Sequence, residues 1–209
     1  MTTNLINQQL THVQNVQRGR FVEYLTISWN LVEAVVAIAA GSVAGSVALI
    51  GFGVDSMIES SSALTMLWRL KAGERGERRE QLALKLIGTS FLLLAAYLAF
   101  DAIQTLIAVE PPQISYPGML LAVASLIIMP IIARAKRRVA ISLNSRALVA
   151  DSRQTDICAY LSAILLVGLG LNALFGWWWA DSVAALVMIP IIVREGIEAL
   201  RGEHCSDCH

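Results

Sequence analysis

Ser46-Val-Ala-Leu-Ile-Gly-Phe-Gly-Val-Asp-Ser-Met-Ile-Glu-Ser60 is an apolar run that carries two acids, Asp55 and Glu59. With its continuation it is long enough to cross a bilayer. A spacing of four places both carboxylates on one helix face, about one turn apart. A single charge at membrane depth costs roughly 2.5–3.5 kcal/mol on insertion scales. Two adjacent carboxylates cost more unless a positive charge lies between them. A divalent cation fills that role, and oxygen ligands suit one. A protonated pair, hydrogen-bonded to neighbouring helices, is the other reading of the same residues.

The rest of the chain agrees with a membrane setting. Of 209 residues, 56% are hydrophobic and only 15% are charged, against about 25% charged in soluble domains. Mean hydropathy is +0.61. The sequence therefore predicts an all-α integral membrane protein, one bundle rather than several domains. The first twenty residues are polar and lack the apolar core of a cleavable signal, so the first spanning helix is expected to direct insertion.

Six stretches reach the ~20 residues that a spanning helix needs, near 23–42, 45–69, 84–108, 117–134, 144–171 and 178–200. They make up a transmembrane domain over 23–201, with a cytoplasmic segment at 1–22 and a short tail at 202–209. Pro130 is a kink point in the fourth stretch. Lys and Arg set the orientation. Arg18 and Arg20 precede the first helix, six basic residues between Arg69 and Lys85 flank one link, five between Arg134 and Arg146 flank another, and Arg194 and Arg201 lie near the C-terminal end. The alternate links, around 41–45, 110–117 and 175–179, contain neither Lys nor Arg. The positive-inside rule then places both termini in the cytoplasm, and puts Trp177, Trp178 and Trp179 in an outer aromatic belt. Small residues at Gly41–Gly45 and Gly51–Gly53 read as ordinary close packing between helices.

The fifth stretch is crowded with polar groups. Asp151, Gln154 and Cys158 share one face. Gln154 and Cys158 repeat the spacing of Asp55 and Glu59, so two facing helices would supply two pairs to one tetrahedral centre. A thiolate and carboxylates are sound Zn²⁺ ligands, and the amide oxygen of Gln is a weaker one. Asp151, one turn nearer the cytoplasm, reads as a secondary ligand on the access route, with Asp156 beside it. Arg153 and Asp156, three apart, are expected to pair with each other. Taken singly, Cys158 reads as a buried small hydrophobe and Gln154 as an interhelical hydrogen-bonding group.

At these residues the chain resembles the cation diffusion facilitator family of divalent-metal exporters, over its six-helix membrane part. The second-helix ligand setting of that family looks like Val54-Asp-Ser-Met-Ile-Glu59. Its fifth-helix opening looks like Ser145-Arg-Ala-Leu-Val-Ala-Asp151, and its sixth-helix start like Trp179-Ala-Asp-Ser-Val-Ala-Ala185. Asn30 and Glu33 occupy a first-helix region that is often polar in the family. The resemblance implies metal ligands at Asp55 and Glu59, and places the family's His and Asp ligands on Gln154 and Cys158. The usual fifth-helix pair is thus replaced, and the proton-linked His is missing. The chain ends about where the family's cytoplasmic domain begins, which reads as a short branch made of the membrane domain only. The family is commonly dimeric, but a domain that helps pair its subunits is lacking here, so monomer and homodimer both stay open.

The expected function is efflux of a divalent transition-metal cation through the inner (plasma) membrane, with proton coupling open. Cys158 softens the site, favouring Zn²⁺ or Cd²⁺ over Mg²⁺ or Mn²⁺, with Co²⁺ also allowed. The metal is cargo, and no tightly bound cofactor is expected. Protons, metal ions and lipid are the expected partners. A membrane metal sensor or accessory protein without transport is the alternative. The tail carries His204, Cys205, Cys208 and His209, four metal-binding side chains within six residues, and reads as a flexible capture site. The odd cysteine count argues against a disulfide framework. No nucleophile–base pair is visible, and all three His lie outside the expected helices, so no enzyme is expected. The basic links are explained by topology, so nothing points to nucleic acid.

Overall fold

A computed structural model describes residues 2–71, 76–108, 115–177 and 179–201. They form six helices in chain order: α1 Thr2–Ala44, α2 Val47–Leu70, α3 Gly76–Ala108, α4 Tyr116–Ser142, α5 Arg146–Phe175 and α6 Ala180–Arg201. Four of these, α1, α3, α4 and α5, are long and apolar enough to cross a membrane. The chain is a multi-pass membrane protein. Side chains such as Leu120, Ile141 and Leu174 are more than 70% exposed. Water would penalise them there and lipid does not.

Serine starts three of the helices. Ser46, Ser115 and Ser145 each adopt extended backbone, and their hydroxyls accept from the N–H of Leu49, Gly118 and Leu148 at 3.2–3.3 Å. Each satisfies an N–H that would otherwise be orphaned in an apolar setting. At the far end of α5, Gly176 supplies the left-handed turn that stops the helix.

Several helices outrun their sequence-based bounds. α1 begins at Thr2 rather than near 23, so exposed His12 lies on a helix. α4 continues unbroken through Pro130 to Ser142. The segment Arg134–Arg138, expected as a link, is therefore its last turns. The tail with His204, Cys205, Cys208 and His209 lies outside the described residues.

α5 lies at the centre, packed against α2, α3, α4 and α6, while α1 packs on α2 and α4, and α3 on α2 and α6. One apolar cluster includes Met66, Ile87, Phe91, Leu148, Ile157 and Ile192. A second includes Leu49, Phe52, Met129, Cys158, Leu165 and Leu169. Ile157 belongs to the first and Cys158 to the second, so the polar face of α5 falls at their junction. α3 and α6 approach each other closely. A Cβ added at Gly88 would sit 2.8 Å from the Gly196 carbonyl oxygen and 2.7 Å from Leu200 Cγ. Gly88→Val is expected to lower stability by about 1–3 kcal/mol through overpacking, read as an earlier thermal transition in detergent.

Candidate metal site

α2 and α5 face each other across the bundle. Asp55 and Glu59 are both buried on α2. On α5, Gln154, Thr155 and Cys158 are equally buried. The Thr155 hydroxyl donates to Glu59 Oε1 at 2.6 Å, the direct link between the two helices. The Cys158 thiol lies beside both carboxylates. Gln154 turns its amide nitrogen to Ser90 Oγ on α3 at 3.4 Å, and Ser90 is in turn bonded to Ser62 on α2 at 3.0 Å.

What these groups leave unsatisfied is more telling than what they bond. Asp55 Oδ2, Glu59 Oε2 and Gln154 Oε1 are buried oxygens without a hydrogen-bond partner. Such oxygens are rare in folded proteins and costly. All three are acceptors, so what each lacks is a hydrogen-bond donor or a cation. Among the described residues, no three His, Cys, Asp or Glu side chains already surround a common point. The residues expected as ligands thus lie on two facing helices, without a formed cluster among the described residues.

The other expected ligands are placed elsewhere. Asp151, read as an access ligand, is fully buried and engaged by Lys136, whose Nζ lies 2.6 Å from Asp151 Oδ2 and 3.3 Å from Glu23 Oε2. These contacts are ion pairs without the alignment of directed hydrogen bonds. Asp156 is bonded to Arg137 on α4. Arg153 Nη1 donates to Glu195 Oε2 on α6 at 2.6 Å. The expected Arg153–Asp156 pair within α5 gives way to these two interhelical pairs, because helices on either side offer opposite charges.

Two functional candidates escape local spacing. Lys136 reads in sequence as one of a basic interfacial run, yet it is only 1% exposed. Glu33 on α1 is fully buried and accepts from Ser56 Oγ at 3.3 Å, which ties it to the residue next to Asp55. A signal for the α1 face does exist. Glu23, Thr26, Asn30 and Glu33 recur every three or four residues and are all fully buried, the pattern of a polar stripe aimed at the bundle interior.

The chain is similar to several known proteins at the edge of one-quarter identity. Transmembrane protein 163 of Xenopus laevis is 26% identical over 189 residues, covering 88% of this chain and 66% of that one. The cadmium, cobalt and zinc/H(+)-K(+) antiporter of Bacillus velezensis is 26% identical over 203 residues, covering 88% of this chain and 62% of that one. Its namesake in Bacillus subtilis is 24% identical, with 87% and 62% covered. The chain therefore spans somewhat under two thirds of the length of these relatives. The family profile of the cation efflux transmembrane domain matches residues 24–202, the region that holds α2, α5 and their facing acids, and the chain belongs to that cation efflux family.

Proposed function

We propose that the protein carries divalent transition-metal cations, Zn²⁺ or the similar Cd²⁺ and Co²⁺, out of the cytoplasm. Asp55, Glu59 and Cys158 bind the ion, with Gln154 as a weaker fourth ligand. The observation that carries this reading is the set of buried, unpartnered acceptor oxygens on two helices joined by the Thr155–Glu59 bond. Relatives named as cadmium, cobalt and zinc antiporters support the same cargo class.

All six helices cross the inner membrane in this reading, with both termini in the cytoplasm. The absence of Lys and Arg from the three outer links supports that orientation. So does the outer aromatic group, in which Trp177 stacks on Trp179 with ring centroids 5.7 Å apart. Metal binding displaces protons from the thiol and from any protonated acid, which couples the ion to proton flow in the opposite direction. Access alternates as the helices rock about the site.

The test is flux. Purified protein in liposomes loaded with a zinc-responsive dye is expected to pass Zn²⁺ faster than empty liposomes. Binding without flux would favour an accessory or sensing role instead. Cys158→Ser is expected to shift preference from Cd²⁺ toward Mn²⁺, since a hydroxyl is a harder ligand than a thiol. Competition between the two ions for the same flux reads that shift, and an unchanged order of preference would remove Cys158 from the ligand set.

A further inference from the structure

Asp101 lies on α3, seven residues before the helix ends at Ala108, about 10 Å along its axis. Asp55 lies eight residues after the start of α2, about 12 Å from the same end of the bundle. The two acids line one cavity of about 40 Å³. That is room for an ion with a water molecule or two. The remaining wall is apolar, with Phe52, Leu98, Leu161 and Leu165. Asp101 is 8% exposed, and its Oδ1 has no hydrogen-bond partner.

No side chain in this half of the protein can neutralise it. Lys and Arg are absent from residues 21–68, 86–133 and 154–193, which covers this end of every helix. Tyr97, one turn before Asp101, closes α3 onto α2 beside the cavity wall at Gly51. Its hydroxyl is packed so closely on α2 that a Cβ at Gly51 would lie 2.9 Å from it. Any cation reaching Asp101 has to be mobile.

We propose that Asp101 and Asp55 form a second and weaker divalent-cation site through which the ion passes after leaving Cys158. The inference rests on the transport reading above for its direction, toward the outer face. The chemistry favours release. An ion that prefers a thiolate is held less tightly by oxygens alone, so moving one step outward lowers its affinity without any change in the protein's fold. Asp55 belongs to both sites, with one oxygen for each, so both can be filled at once while the ion passes from one to the other.

Equilibrium dialysis of the full chain with Zn²⁺ in detergent, paired with Zn²⁺ flux in liposomes, tests this. Asp101→Asn is expected to bind one Zn²⁺ fewer than the parent, losing the weak site and keeping the tight one, and to lose about tenfold in flux, the lower end of what a supporting ligand costs. Asp101→Glu keeps the carboxylate and is expected to retain the second site, which separates ligand loss from misfolding. Parental stoichiometry and flux in Asp101→Asn would overturn the proposal and leave Asp101 a protonated acid in an apolar wall. Loss of the weak site in both variants would also overturn it, since the carboxylate would then not be what matters. A parent that binds Zn²⁺ but never passes it refutes the transport reading, while the binding count still reports on Asp101.

Discussion

Asp55→Asn is expected to reduce Zn²⁺ flux by at least about 100-fold, beyond the ~10–100-fold that changes around a metal's direct ligands usually cost. The substitution keeps size and shape, and removes the charge together with one acceptor oxygen, so a large loss reports the carboxylate rather than its packing. Glu59→Gln is expected to behave alike. Thr155→Val is the informative intermediate. Its hydroxyl donates to Glu59 Oε1 and would orient that ligand rather than bind the ion, so it should fall within the 10–100-fold range. Equal flux from Asp55→Asn and the parent in dye-loaded liposomes would show that helices α2 and α5 do not share a cation. The protonated-pair reading of the two acids would then stand.

Lys136→Met is expected to lower stability by about 3–5 kcal/mol, the usual consequence of removing one partner from a buried ion pair. For a chain of this size that corresponds to a drop of roughly 6–20 °C in the thermal transition. The reason is local. Glu23, Lys136 and Asp151 have no exposed side-chain surface, so the two acids would be left facing each other with no counter-charge and no water. Removing the acids as well, in Lys136→Met combined with Glu23→Gln and Asp151→Asn, should recover most of the loss, because a neutral buried cluster carries no comparable desolvation penalty. Circular dichroism of the purified variants on heating reads both. A single variant as stable as the parent would mean that the cluster is hydrated in the membrane.

The helical framework and the buried polar faces of α2 and α5 were legible in the sequence because each rests on local rules. Asp55 and Glu59 are one turn apart, and Asp151, Gln154 and Cys158 follow the spacing of one helix face. Lys136 was not legible. Its neighbours Arg134, Arg137 and Arg138 make it look like part of an interfacial basic run, and one of its two partners, Glu23, is 113 positions away on another helix. Asp156 and Arg153 failed as a pair for the same reason, since Arg137 and Glu195 reach them from α4 and α6. Gln154 was placed on the correct helix face, but its amide nitrogen went to Ser90 on α3, a choice set by tertiary packing. Helix ends were also underread. Apolar periodicity marks where lipid begins, and α1 and α4 remain helical beyond that point.

α1 has 43 residues, about 64 Å of rod, against ~30 Å of hydrocarbon. It is gripped near its middle, where Arg20 donates to the Leu70 carbonyl, Gly19 packs on Leu70 and Val139, and Glu23 meets Lys136. The part before that grip, residues 2–18, is a lever arm of about 25 Å. A ten-degree swing at the fulcrum moves its tip by about 4 Å, so a spin label near His12 would turn small rotations of the bundle into a distance change large enough to follow during turnover.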